Sequence, residues 1–480
     1  MLEVLNKEEL DEIHSTSLEL LETKGLKVQG TKALAFFTQS GAIACGSNLD
    51  SNIVKLPQHL VRDSIKKAPG SILVGGVQKQ EDLQIRPGTL NTRPGSGYTY
   101  LVDCRTKAYR EATKKDAEDA VKVINKLRNT TMCSTLLEPT DVLRGTNDIY
   151  AVKIALANTS KHIVCSPLTP RTFAYIFRMA STVRADEKDL RRRPPISSLV
   201  SPTSPLQITR DASEIAIECA QKRVPVVVAP TPMCGATGPV TMAGSLIQQN
   251  MEFLALATLI QIVSPGSPVL YAPRCCPMDM RSGVPSLGSI EFGILTAAAV
   301  QISHYYGIPV DAHGPTTNSK LGDVQAGFEK GLNGIYPTLA GAEVISGSGS
   351  MEFCGTSSLT QLLIDDEYYS MLFRAVDGIK VDDSRIAKDI IHKIGYGGDY
   401  LREKHTREFY RQEYRLSEAF DFKTRASWER DGSRGALDRC EAEINRILRE
   451  PSPQFLERDV ELKLEQILAE ARNEFLEKGS

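Results

Sequence analysis

The chain has 480 residues, of which 41% are hydrophobic and 24% charged, and its formal net charge is -2. That length supports one large domain with extensions, or two to three ordinary domains, and the near balance of charge argues against a basic face for nucleic acid. Ten cysteines without a C-x-x-C pair and seven histidines without H-x-x-x-H argue against a disulfide framework and against a clustered zinc site.

The first residues, MLEVLNKEELDEIHSTSLELLE, alternate charged and apolar groups as an amphipathic helix does, and they lack the apolar run of a signal peptide. A cytoplasmic location is expected. No uninterrupted apolar segment approaches the ~20 residues that a bilayer span needs, so no membrane insertion is expected. Two helical segments, KEELDEIHSTSLELLETKG and PQHLVRDSIKKAP, flank an irregular stretch with RPG at 86–88 and again at 93–95. Together they make an N-terminal helical cap over residues 1–94.

From residue 95 to 376, β-rich apolar runs alternate with helical patterns. The runs are GSGYTYLVD (95–103), TMCSTLL (131–137), HIVCS (162–166), ISSLV (196–200), PVVVAP (225–230), PVLYAP (268–273), IPVDA (308–312) and AEVIS (342–346). Between them lie stretches such as KKDAEDAVKVINKL and ITRDASEIAIECAQK. This is the order and count of an α/β fold of the (β/α)8 TIM barrel type. A doubly wound sheet is the alternative, weakened by the missing glycine fingerprint after the first strand. Residues 377–480 read as a C-terminal helical extension lying on the surface or against a neighbouring subunit, so a homo-oligomer is expected.

In such barrels the chemistry sits just past the C-terminal ends of the strands. The candidates there are Tyr98, Tyr100 and Asp103 at the first run, Glu138 at the second, Tyr271 and Arg274 at the sixth, His313 at the seventh, and Glu352 and Phe353 past the eighth. Several have a structural alternative. Asp103 precedes CRTKAYRE and suits a turn, Glu138 could pair with an arginine, and the tyrosines could fill the core. His313, in DAHGPTTNS, follows a strand end, a place where function is commoner than core filling. Met233, Cys234, Cys275 and Cys276 read as packing. The stretch SGSGSMEFCGTSS (346–358) fits neither G-x-G-x-x-G nor Gly-Lys-Ser/Thr. Its Glu352 and Phe353 suit a cation better than a phosphate, although Glu352 could instead cap a helix or join an ion pair.

The segments LNKEELDEIHSTSLELLETKGLKV, ALAFFTQSGAIA and VKLPQHLVRDSIKKAP, the strand end GSGSMEF with LLIDDE, and the tail GGDYLREKHTREFYRQEYRLSEAFDFKTRASWERDGSRGALDRCEAEINRIL resemble the trimethylamine methyltransferase family of corrinoid-dependent enzymes. The resemblance covers nearly the whole chain and implies a (β/α)8 barrel that passes a methyl group to the Co(I) of a separate, cognate corrinoid (cobalamin) protein. No tightly bound cofactor and no metal is expected in this chain. DAHGPT at 311–316 begins like the cobalamin-ligating D-x-H-x-x-G loop, but Thr316 stands where glycine belongs.

The family's trimethylamine enzymes carry pyrrolysine near the end of a late strand, and ordinary residues occupy 347–356 here. The resemblance therefore implies the branch without pyrrolysine and a quaternary amine substrate. Glycine betaine leads, with proline betaine, carnitine and γ-butyrobetaine as relatives, and no catalytic role is carried over from pyrrolysine. Displacement from a quaternary nitrogen expels a neutral tertiary amine and needs no general acid, so the protein's task is positioning. Tyr98, Tyr100, Tyr271 and Phe353 are the cage candidates, and Arg274 or His313 the candidates for a substrate carboxylate. The alternatives are a barrel that binds or regulates without turnover, and an aldolase-type barrel, which the absence of a strand-end lysine disfavours.

Overall fold

The computed structural model describes residues 2–46 and 51–478. Its centre is a set of eight parallel strands, each followed by a helix. The strands are β1 (Asn91–Pro94), β2 (Cys133–Ser134), β3 (Ile163–Cys165), β4 (Ile196–Val200), β5 (Val226–Val228), β6 (Val269–Tyr271), β7 (Asp311–His313) and β8 (Val344–Ser348). The helices are α1 (Lys114–Lys126), α2 (Asn147–Asn158), α3 (Pro170–Thr182), α4 (Arg210–Lys222), α5 (Met242–Val263), α6 (Ile290–Tyr305), α7 (Val324–Ala340) and α8 (Leu359–Asp377). Strands covered on both faces by packed side chains read as continuous β-branched runs, as Val226–Val228 does. The protein is α/β.

The strands pair in two sheets, β6-β5-β4-β3-β2 and β7-β8-β1. Hydrogen bonds join the sheets at both edges: Tyr271 N donates to Pro309 O at 3.0 Å, and Met132 N to Thr92 O at 3.0 Å. Side chains alternate across the strands. Met132, Val164, Val227, Ala229, Leu270, Ala272 and Val344 form an interior cluster, whereas Tyr271, Val226 and Val228 pack into the larger core beneath the helices.

One end of the interior is filled by a β-hairpin, Ile72–Val74 paired with Leu83–Ile85, whose Ile72, Val74 and Ile85 join that inner cluster. Its backbone bonds to Ser160, Lys161 and Pro194, which precede β3 and β4, so it occupies the N-terminal end of the strands. Arg193 clamps it through Asp82, Nε to Oδ2 at 2.7 Å, and Arg184 Nη2 donates to Gly76 O at 2.7 Å.

The N-terminal region differs from the expected helical cap. Strands Leu26–Gln29, Ile43–Cys45 and Ser51–Lys55 join Gln207–Ile208 in a four-stranded sheet, flanked by helices Lys7–Thr23, Thr31–Gln39 and Gln58–Ile65. The first parallel strand is also not 95–103. It is Asn91–Pro94, and Tyr100–Val102 instead pairs antiparallel with Tyr109–Glu111. Gly97, at φ 84, breaks the run, and Asp103 turns the chain back by accepting from Arg105 N and Thr106 N at 2.9 and 3.0 Å.

Past α8, the helices Asp383–Ile386, Lys388–Ile394, Lys404–Glu413 and Arg425–Arg430 bury no residue. Ala436–Arg449 and Arg458–Lys478 return to pack on α1 and α8 and on α2 and α3 respectively. Among the described residues one helix, α5, is long and apolar enough to cross a membrane, which composition alone did not lead us to expect. It is an interior helix, and its buried polar groups serve its neighbours: Glu252 accepts from Ser204 and Leu206, and Asn250 donates to Tyr306.

Candidate active site

A cavity of about 330 Å³ opens among the C-terminal ends of the parallel strands. β1 contributes Arg93 and the following Gly95, Ser96 and Tyr98; Ser166 follows β3; Leu199 and Ser201 end β4. Ala229, Thr231 and Met233 follow β5, Arg274 and Cys276 follow β6, His313 ends β7, and Phe353 and Cys354 follow β8. Wider grooves of about 620 and 980 Å³ border the C-terminal extension, away from these strand ends.

The floor is a charge network. Arg93, fully buried, donates from Nε to Asp311 Oδ2 at 2.7 Å, and Arg274 Nη2 reaches Asp311 Oδ1 at 3.3 Å and Ser346 Oγ at 3.2 Å. Ser346 Oγ donates to Asp311 Oδ1 at 2.6 Å. Burial pushes the Asp311 carboxyl up, but the Arg93 and Arg274 guanidiniums outweigh it and hold the group below its ordinary range. Two guanidiniums thus share one carboxylate. Among the described residues no Asp or Glu lines the cavity.

The walls are apolar and aromatic. His313 stands with Nε2 3.1 Å from Cys354 Sγ and Nδ1 3.4 Å from Ser346 Oγ. Burial, followed by the charges of Arg274, Arg93 and Lys330, lowers its pKa well below the ordinary value, so the ring is neutral. Burial raises the Tyr98 phenol well above 10.0, leaving it an O–H donor beside Cys354 and Ser350. Two glycines make room: a Cβ on Gly95 would lie 2.3 Å from Tyr98 Oη, and one on Gly347, at φ +119, 3.0 Å from His313 Cε1. Glu352, Phe353 and Cys354 follow in the left-handed region at φ 50, 48 and 67, held by bonds from Glu352 N to Ser319 O and Phe353 N to Thr317 O. Three such non-glycine residues in succession store strain of about 1–2 kcal/mol each, next to the cavity.

Of the residues expected from sequence, the cavity brings together Tyr98, Arg274, His313 and Phe353. The others lie elsewhere. Tyr100 stacks on Tyr109 at 5.1 Å in the displaced hairpin, and Asp103 spends its oxygens on the turn and on Arg110. Tyr271 faces the helices, stacked on Phe253 at 4.0 Å, because strand alternation gives the interior to its neighbours Leu270 and Ala272. Glu138 is buried outside the lining; burial and then the Asp148 charge push its carboxyl up to about 8. Glu352 is half-buried and does not line the cavity. Arg93 and Cys354 were not singled out beforehand. Arg93 sits in a polar strand that carries no apolar signal, and Cys354 is one residue beyond the expected pair.

His313, the histidine of DAHGPT, is not free to ligate the cobalt of a resident corrinoid: its Nε2 lies 3.1 Å from Cys354 Sγ and its Nδ1 3.4 Å from Ser346 Oγ, inside the cavity.

Residues 1–475 match the model of the trimethylamine methyltransferase (MTTB) family. The chain is 33% identical over 471 residues to the trimethylamine methyltransferase MttB of Desulfitobacterium hafniense (strain DSM 10664 / DCB-2), covering 98% of this chain and 94% of that one. To MttB of Methanosarcina barkeri it is 32% identical over 415 residues, 85% and 83% of the two chains. To the glycine betaine methyltransferase of D. hafniense (strain Y51) it is 26% identical over 473 residues, 98% and 97% of the two. Among solved structures, the monomethylamine methyltransferase MtmB of M. barkeri is similar at a TM-score of 0.49 and 13% identity, covering 92% and 93% of the chains. The chain belongs to the trimethylamine methyltransferase family of corrinoid-dependent enzymes and is a methyltransferase.

Proposed function

We propose that this enzyme demethylates a zwitterionic quaternary amine, glycine betaine foremost, and passes the methyl group to the Co(I) of a cognate corrinoid protein. The observation that carries this reading is the surplus of positive charge at the cavity floor, where Arg93 and Arg274 share Asp311 and no carboxylate lines the walls. A bare alkylammonium would meet repulsion there, whereas a betaine brings the missing anion on its own carboxylate. The identities to trimethylamine and glycine betaine methyltransferases leave the choice of amine to this charge balance.

The partner's corrinoid supplies a low-valent cobalt nucleophile that accepts the methyl cation equivalent. This chain's residues do the rest. Arg274 takes the substrate carboxylate, and Ser346 and Asp311 hold the guanidinium flat against the floor. Tyr98 and Phe353 offer π-faces to the trimethylammonium end, worth about 0.5–2 kcal/mol each. Neutral His313 adds no repulsion. The leaving tertiary amine departs uncharged, so no proton is transferred in the step.

In this reading the two sheets, bonded at both edges, form one (β/α)8 barrel. The division into cap, barrel and extension then falls before residue 91 rather than after 94, because β1 belongs with the barrel. We place the enzyme in the cytoplasm, away from membrane and nucleic acid, as a homo-oligomer that covers exposed apolar groups of the extension such as Ile379, Leu401 and Phe422.

The test follows the absorbance of Co(I) cobalamin converting to methylcobalamin with glycine betaine, tetramethylammonium and trimethylamine. Glycine betaine is expected to exceed tetramethylammonium by roughly 10–100-fold in kcat/KM, the worth of a charge-assisted carboxylate contact. Equal rates for those two, or preference for trimethylamine, would overturn the reading.

A further inference from the structure

We infer that Cys234 and Cys275 form a dithiol modification site, closed to a disulfide by a hydroperoxide, directly behind the wall of the cavity. Their sulfurs lie 3.7 Å apart, on the segments that follow β5 and β6. These segments are fixed side by side: Met233–Cys234 pairs in parallel with Cys276–Asp279, with Met233 opposite Cys276. Alternation along them turns Met233 and Cys276 into the cavity and leaves Cys234 and Cys275 facing each other on the other side. Disulfide sulfurs sit at ~2.0 Å, so closure needs a movement of under about 2 Å shared by two short side chains.

The two thiols are not equivalent. The two sulfurs share one hydrogen bond in which either can donate; with Cys275 as the donor, the bond lowers the Cys234 thiol to about 6, with Ser245 helping, and raises Cys275. Cys234 is therefore the nucleophile. Its thiolate attacks a peroxide oxygen and the O–O bond breaks, leaving a sulfenic acid on Cys234 and hydroxide, which takes up the proton that Cys234 gave up. The Cys275 sulfur then attacks the Cys234 sulfur, the S–O bond breaks, and the oxygen leaves as water with the Cys275 proton. In sum, two thiols lose two electrons and one hydrogen peroxide becomes two waters. Cys234 keeps 5% of its surface exposed although it does not line the cavity, and Cys275 keeps 2%.

Closure acts on Arg274. Arg274 and Cys275 are consecutive, and their backbone N–H groups both donate to Gln249 Oε1, at 3.1 and 2.7 Å. Pulling Cys275 toward Cys234 strains this pair of bonds and shifts the guanidinium away from Asp311 and Ser346. This consequence rests on the assignment of Arg274 to a substrate carboxylate.

The experiment treats the full-length protein with hydrogen peroxide at a dose that oxidises the exposed Cys45, then alkylates it under denaturing conditions and maps cysteines by mass spectrometry. A cross-link between the Cys234 and Cys275 peptides, reversed by dithiothreitol and absent from Cys234→Ser, is expected. Recovery of both cysteines alkylated, or pairing of Cys234 with Cys276, would overturn the site. Calorimetric titration with glycine betaine reads the coupling: cross-linked protein is expected to bind at least tenfold more weakly than reduced protein, and equal affinities would refute it. Absence of betaine binding by the reduced protein would instead refute the betaine reading, with the dithiol judged by the cross-link alone.

Discussion

Arg274 and Arg93 divide one counter-ion between them, and substitutions at Arg274 measure what the second guanidinium does. Arg274→Lys keeps the charge but loses the planar fork that spans Asp311 and Ser346. A fall of roughly 10–100-fold in kcat/KM for glycine betaine, carried mainly by KM, is the expected outcome in the methyl-transfer assay. Glu352 gives the opposite expectation. Since it does not line the cavity, Glu352→Gln should leave kcat/KM within about twofold, and a larger loss would return this residue to the cation site. Glu138 is a residue whose contribution depends on pH. Its carboxyl is raised from 4.5 to about 8, so the folded chain holds the proton more tightly than the unfolded chain does. The stabilisation is complete below about pH 4.5 and is lost as pH rises through 8. Glu138→Gln should therefore match the wild type near pH 4.5 and exceed it by about 2–4 kcal/mol at pH 8 in denaturant unfolding. A difference that does not change with pH would contradict the assignment.

At the scale of elements, the loop after β8 is held from behind. Lys330 in α7 donates to Asp365 in α8 at 2.8 Å, and the same Asp365 oxygen accepts from Gly349 N at 2.8 Å. All of this is buried. Asp365→Ala leaves an ammonium without its counter-ion and frees the turn that leads into 352–354, so unfolding free energy should drop by about 3–5 kcal/mol. An unchanged denaturation midpoint would show that the turn supports itself. The elements also explain what the sequence discloses. Strands β2 to β8 are legible because burial on both faces demands apolar runs such as PVVVAP and PVLYAP. β1 is not, because NTRP is buried through polar partners: Thr92 donates to Asn129 O and Arg93 to Asp311. Losing β1 displaced the first strand end, and with it Tyr100 and Asp103 were chosen and Arg93 passed over. Tyr271 failed for a different reason, since the parity of a short strand decides which face a residue takes and both faces here are apolar.

At the scale of the whole molecule, the hairpin at the N-terminal end of the strands acts as a stopper. Ile72, Val74 and Ile85 fill the interior from below, and Arg184 and Arg193 fasten it to the N-terminal end of the strands. With the eight strands closed as proposed, a vessel stoppered at one end has a single door. Under the proposed reaction the amine enters by that opening, the one a docked corrinoid protein would cover, and the demethylated product leaves only after that protein has withdrawn. The kinetic order expected from the proposed reaction is amine first, protein second, with the spent amine last to go. A corrinoid protein that docks on an empty enzyme shuts the substrate out. Excess partner should therefore inhibit turnover competitively against the amine, an effect that saturating amine abolishes. Steady-state rates that rise monotonically with partner concentration at low amine would mean that the chamber has a second way in.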